Sequence, residues 1–263
     1  MKISKIRENA RTALAGKWGK GVGIILAYLA FFFVVGLITG IFEGIFGEES
    51  LISNLIGIAT AIIQVPIVFG MGYAFIKLKR SEDVGAFDFL DLGFSNFGRA
   101  WKISLRTLLK MVLPFILLVV SIVAITFSSL SLSIVAMEGS VSEPYMLLTV
   151  IGFILYIVAI IWLTVRTLLY ALTTYIAFDN PNMSAIEVVN ESARMMKGNR
   201  WKFFLLDLSF IGWAILAVFT LGIGYLWLLP YMQVAIVCFY EHLLGKKEVI
   251  SNKEENVEAI TEM

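Results

Sequence analysis

Few side chains in this sequence are of a type and spacing that could do chemistry, and the chemistry each would do is narrow. The one histidine, His242, stands beside Glu241, which together form a candidate acid–base couple or an interfacial polar pair. A hydrolytic triad needs that histidine near a nucleophile, and catalytic zinc sites need three protein ligands, so one imidazole supports neither. No glycine-rich loop carries the Lys and Ser/Thr that cradle phosphates; Gly19-Lys20-Gly21-Val22-Gly23 is glycine-rich with the wrong spacing. Cys238 is the only cysteine, which excludes a disulfide within the chain and a cysteine-based metal site. No catalytic, cofactor-binding or metal-binding residue is expected, and the chain is expected not to be an enzyme.

Four polar residues stand out by position: Gln64, Arg166, Asp207 and Gln233 interrupt apolar runs. A charge at membrane depth costs at least about 2.5 kcal/mol, so a partner is expected. Arg166 and Asp207 carry opposite charges on neighbouring hairpins, which predicts a structural ion pair. Two other readings stay open: Arg166 snorkelling to lipid phosphate, and a transport or proton path past all four residues. Pro66, Pro114 and Pro230 each free a carbonyl inside a run, as the broken helices of transporters do, although proline is ordinary in membrane helices.

The elements that must position these residues follow from charge and hydropathy. The chain is 59% hydrophobic, with a mean hydropathy of +0.86, far above a soluble domain's usual composition. Its net charge of +1 conceals an asymmetry. Lys and Arg cluster at 2–20, 77–110, 194–202 and 246–253, whereas the loops at 43–49, 138–143 and 220–225 contain none. Arg166 is the one exception. Basic residues near span ends stay inside, so a multi-pass protein of the cell membrane with both termini cytoplasmic is expected. The partners implied are membrane lipids, including an anionic inner leaflet, and a membrane-protein partner, with no nucleic acid. The run at 22–42 is long enough to span and lacks a small-residue cleavage site, so it reads as a retained first span.

Six runs approach the roughly 20 apolar residues a spanning helix needs: 21–42, 55–76, 110–130, 145–178, 203–219 and 226–240. The fold class is therefore all-α, a polytopic membrane protein with six transmembrane helices in one domain over 1–263. Its parts are an amphipathic helix at 1–20, a hairpin at 21–76, a cytoplasmic segment at 77–109 and a hairpin at 110–178. An amphipathic helix at 179–202, a hairpin at 203–244 and a flexible cytoplasmic tail at 245–263 complete it. The fourth run would reach about 50 Å against a hydrocarbon core of about 30 Å, so it must tilt, bend or leave the membrane. Gly36, Gly40 and Gly44 fall four apart, a small-residue face suited to close helix packing.

Three repeats of amphipathic helix plus hairpin are expected. Each hairpin is entered through glycine and then tryptophan: Gly16-Lys17-Trp18, Gly98-Arg99-Ala100-Trp101 and Gly198-Asn199-Arg200-Trp201. Trp18, Trp101 and Trp201 are the candidate inner-interface anchors. The second spans of the pairs end alike, in Gly72-Tyr73-Ala74-Phe75, Thr174-Tyr175-Ile176-Ala177-Phe178 and Val237-Cys238-Phe239-Tyr240. Helical spacing places Ile3, Ile6, Ala10, Ala13 and Lys17 on one face, and Phe87, Leu90, Phe94, Phe97 and Trp101 on another. Ser184-Ala185-Ile186-Glu187 has capping-box spacing, and Gly198 suits the left-handed position that ends such a helix.

From Asp179-Asn180-Pro181 onward a denser set of motifs appears. It runs through Ser184-Ala185-Ile186, Glu191-Ser192 and Met195-Met196-Lys197-Gly198-Asn199-Arg200-Trp201-Lys202-Phe203-Phe204. It continues through Leu208-Ser209-Phe210-Ile211-Gly212-Trp213, Thr220-Leu221-Gly222-Ile223-Gly224, Trp227, Pro230-Tyr231 and Phe239-Tyr240. Together with Arg7-Glu8-Asn9-Ala10 and Gly16-Lys17-Trp18, this resembles the bacterial membrane-protein family labelled domain of unknown function 975. The resemblance implies an integral membrane protein, from a family found largely in Gram-positive bacteria, and carries over no functional residue. The expected function is a non-enzymatic scaffold or accessory protein, lipid-associating, against a small-solute transporter or channel with a path near Gln64, Arg166, Asp207 and Gln233.

Overall fold

The computed structural model describes residues 2–137 and 143–261; the acidic loop between them lies outside the described residues. Every regular element among the described residues is helical. The first repeat comprises α1 (Ile3–Leu14), α2 (Trp18–Phe46) and α3 (Leu51–Lys79). The second comprises α4 (Asp88–Phe94), α5 (Phe97–Met137), α6 (Glu143–Tyr170) and α7 (Thr173–Asp179). The third comprises α8 (Ala185–Met196), α9 (Arg200–Leu208), α10 (Ile211–Phe219) and α11 (Tyr225–Thr261). Six stretches are long and apolar enough to cross a membrane: Trp18–Phe46, Leu51–Lys79, Phe97–Val135, Glu143–Asp179, Arg200–Phe219 and Tyr225–Gly245. The chain is thus an all-helical polytopic protein in which a short helix precedes a hairpin three times.

The second span of each pair is interrupted, and the half after the interruption is the buried half. Pro66 and Pro230 interrupt α3 and α11, where a missing N–H leaves the carbonyl four residues earlier unbonded. The long run of the second pair breaks between Tyr170 and Thr173. Ser192 of α8 stabilises that break, its Oγ donating to the Leu169 carbonyl at 2.9 Å and accepting from the Leu172 N–H at 3.3 Å. A side-chain hydroxyl thus takes over bonds that a continuous helix would make. Beyond each interruption lie Ile67, Phe75 and Leu78 in α3, Ile176 and Ala177 in α7, and Val234, Phe239 and Tyr240 in α11, all fully buried. These three halves form the core and meet at the end of the bundle that carries the basic clusters.

The short helices close this core in a cycle. Helix α4 packs on α3, α8 on α6 and α7, and α1 on α11, so each leans on the second span of the repeat before it. The small residue central to each buried face is Ala10, Gly93 or Ser192. Helix α8 begins with the expected capping box: Ser184 Oγ accepts from the Glu187 N–H at 3.3 Å, and Glu187 Oε2 accepts from the Ser184 N–H at 2.8 Å. Those hydrogen bonds hold the Glu187 carboxyl below the usual range.

Several boundaries depart from the sequence reading. Gly16 and Gly198 adopt positive φ, +74° and +78°, and separate the short helix from the span. Gly98 instead lies inside the first turn of α5, so the second entry is continuous helix from Phe97. At 41 residues, α5 reaches about 60 Å. The fifth run breaks at Ser209-Phe210 into α9 and α10, and α11 continues as helix to Thr261 where a flexible tail was expected. That segment is rich in Lys and Glu, both good helix formers. The arms before the interruptions differ greatly in length: about 22 Å for 51–65, about 42 Å for α6 and about 8 Å for 225–229.

Candidate functional site

At the basic end, the three second spans are tied by a charged network. Arg80, just past α3, donates Nη1 to Asp179 Oδ1 at 2.6 Å and Nη2 to Oδ2 at 2.9 Å, a fork on the last residue of α7. Its Nε donates to Glu241 Oε1 of α11 at 3.2 Å, and its guanidinium lies 5.9 Å from the Phe178 ring centroid. Lys79 binds the other Glu241 oxygen, and the Tyr240 hydroxyl donates to Asp179 Oδ2 at 2.9 Å. The Asp179 hydrogen bond raises the Arg80 pKa above its ordinary value, so this guanidinium stays charged. Arg99 of α5 reaches the same corner, donating to the carbonyls of Pro181 (2.5 Å), Asn180 (2.5 Å) and Met183 (3.2 Å). The Glu241 carboxylate is therefore held by two cations rather than serving His242 alone.

Sequence reasoning passed over this network, although a signal was present. Each second span ends in an aromatic residue and then a charge: Phe178-Asp179, Tyr240-Glu241, and Phe75 four residues before Lys79-Arg80. Opposite charges at equivalent ends of repeated elements are natural partners.

The three entry tryptophans occupy pseudo-equivalent seams, each between a second span and the first span of the next repeat. Trp101 closes its seam: Nε1 donates to the Ile62 carbonyl at 3.0 Å, the acceptor that Pro66 leaves unbonded in α3. Trp18 stands 6.3 Å from Tyr231 of α11. Trp201 is 67% exposed and stacks on Phe204 at 5.3 Å. A cleft stays open beside each of these last two tryptophans. One is a cleft of about 700 Å³ between α6 and α9, lined by Thr164, Leu168, Arg200 and Trp201 among others. The other is a cleft of about 330 Å³ between α1, α10 and α11, walled by Trp18, Trp213 and Trp227, with Arg7 and Arg11 at one side.

With this geometry the chain can be set against known proteins. Residues 1–247 match the family described as Protein of unknown function (DUF975). The chain belongs to this family. No curated protein and no solved structure matches it. The DUF975 match extends over the middle of the chain, where the motifs resembling the family are sparse.

In this DUF975 chain the four intramembrane polar residues do not gather. No ion pair within 4.0 Å joins Arg166 to Asp207 among the described residues. Arg166 Nη1 instead approaches the Tyr170 hydroxyl at 3.5 Å, one turn along α6. Asp207 lies within electrostatic reach of Tyr175, whose hydroxyl donates to Gln233 Oε1 at 3.3 Å. Tyr175 belongs to α7, beyond the break, and stands about 13 Å along the chain from Arg166. The break that Ser192 stabilises thus assigns the two charges to different surroundings. Gln64 is exposed on α3. Asp207 and Gln233 share Tyr175 as a neighbour without a hydrogen bond to each other.

Proposed function

We propose that this protein is a non-enzymatic scaffold or accessory protein of the cytoplasmic membrane, with both termini cytoplasmic, working through its basic end in association with lipid. The observation that carries the reading is the dispersal of Gln64, Arg166, Asp207 and Gln233. A solute path needs polar side chains lining one cavity, and none of the four lines either of the two clefts described above. The features that do recur are three short helices leaning on a common core, and seams that open to apolar surroundings beside arginines.

The test is a gradient. Proteoliposomes carrying a trapped pH dye should hold an imposed proton gradient as long as protein-free vesicles do. Rapid collapse, abolished by Asp207→Asn, would overturn the reading in favour of a path past Asp207, Tyr175 and Gln233. Orientation is checked separately by thiol labelling in a Cys238→Ser background. Cysteine at Glu48 is expected to react with an impermeant reagent on intact cells and cysteine at Ser81 is not. The reverse pattern would invert the topology.

A further inference from the structure

We propose that the cleft between α1, α10 and α11 binds one anionic phospholipid, its phosphate on Arg7 and Arg11 and an acyl chain between Trp18, Trp213 and Trp227. This deepens the lipid-associating reading above and rests on it.

The argument begins with charge. Arg7 and Arg11 sit one turn apart on α1 and so share a face. Five cations at this end are held by carboxylates: Lys5 by Glu8, Lys20 by Asp83, Lys79 and Arg80 by Glu241, and Arg194 by Glu191. Neither Arg7 nor Arg11 makes an ion pair among the described residues. Arg7 is positioned without being neutralised. Its Nε donates to the Tyr231 hydroxyl at 3.4 Å, the Tyr231 hydroxyl donates to the Arg7 carbonyl at 3.2 Å, and its guanidinium lies 5.5 Å from the Phe210 ring centroid. A guanidinium fixed by neutral and aromatic groups keeps its remaining N–H donors for an anion, and phosphate matches that fork.

The walls specify what the anion is attached to. Three indoles line a cleft of about 330 Å³. Trp213 on α10 and Trp227 on α11 are each about half exposed, on a stretch apolar enough to lie in a membrane, so the cleft opens sideways toward lipid. A free phosphate has no use for those walls, and an acidic peptide has no route to them. The short third arm leaves them uncovered by protein. The matching seam at Trp201 carries one arginine, Arg200, and is the weaker candidate on the same chemistry.

The experiment uses the full chain in mixed micelles, with native mass spectrometry reading lipid retained per protein. Phosphatidylglycerol should be retained one per chain, at least about tenfold more tightly than phosphatidylcholine, and excess inorganic phosphate should not displace it. Arg7→Gln with Arg11→Gln should weaken phosphatidylglycerol retention about tenfold or more and leave phosphatidylcholine unchanged. Arg11→Gln alone, at an exposed side chain, keeps the test sound if the Arg7 change disturbs α1. Trp213→Ala should weaken both lipids. Phosphatidylglycerol retained equally by wild type and the double variant would overturn this site while leaving lipid association standing. Wild type that retains no phospholipid would remove both. A dimer that dissociates in Trp213→Ala, with no lipid bound, would overturn the site in favour of a second copy of the chain.

Discussion

Gly70→Ala is expected to cost this fold about 3 kcal/mol or more, a large effect for one methyl group. A Cβ at Gly70 would lie 1.9 Å from the Phe89 carbonyl oxygen and 2.7 Å from the Gly93 nitrogen, both backbone atoms of α4. The reciprocal position is equally closed, since a Cβ at Gly93 would lie 2.4 Å from the Pro66 carbonyl oxygen. Side chains yield by changing rotamer; two helix backbones yield only by moving apart. Separation would uncover Ile67 and Phe89, both fully buried, and displace the half of α3 that carries Lys79 and Arg80. The measurement is thermal unfolding in one detergent, with Gly36→Ala, Gly40→Ala and Gly44→Ala as controls. A Cβ at any of these three meets nothing within 4 Å, so they should be neutral or slightly stabilising through helix propensity. Gly70→Ala as stable as the controls would mean that α3 and α4 do not touch.

That contrast shows where the sequence was legible. Gly36, Gly40 and Gly44 looked like a packing face because their spacing is regular within one helix, yet that face is open. Gly70 and Gly93 make the real contact, and nothing in either neighbourhood names the other. The same limit applies to α4. The expected aromatic face from Phe87 to Trp101 is divided between α4 and α5, and Phe87, Phe94 and Phe97 are at least 37% exposed, while Phe89 and Gly93 are buried against α3. In water, periodicity separates core from surface; in lipid both faces of a helix are apolar, so it cannot separate protein from hydrocarbon. The spans themselves were legible because length and hydropathy depend on local sequence alone. The capping box at Ser184 was legible for the same reason, with both partners three residues apart. The break at Ala171-Leu172 was not, because it is stabilised by Ser192, about twenty residues later on another helix. That the run had to tilt, bend or leave the membrane followed from its length, but where it bends, and so the depth of Arg166, did not.

Arg80→Met should be the second severe change, because it unties all three second spans at once. Asp179 would keep only the Tyr240 hydroxyl, and Glu241 only Lys79 among the cations of this network. Breaking a buried pair by removing one partner costs about 3–5 kcal/mol. Here the side chains are 29% exposed for Arg80, 19% for Asp179 and 23% for Glu241, so water recovers part of the loss and about 2 kcal/mol is expected. For a chain of this size that lowers the unfolding midpoint by roughly 5 °C. Arg80→Lys keeps the charge and loses the two-pronged fit to Asp179, so it should fall between wild type and Met. The decisive comparison adds Asp179→Leu. If the two side chains act as one unit, the double variant should lose less than the two single losses together, because the second change removes a carboxylate the first had already stranded. Additive losses would show that Asp179 is stabilised mainly by Tyr240, and that α3 is held to α7 by the Gly72–Thr174 and Tyr73–Phe178 contacts rather than by charge.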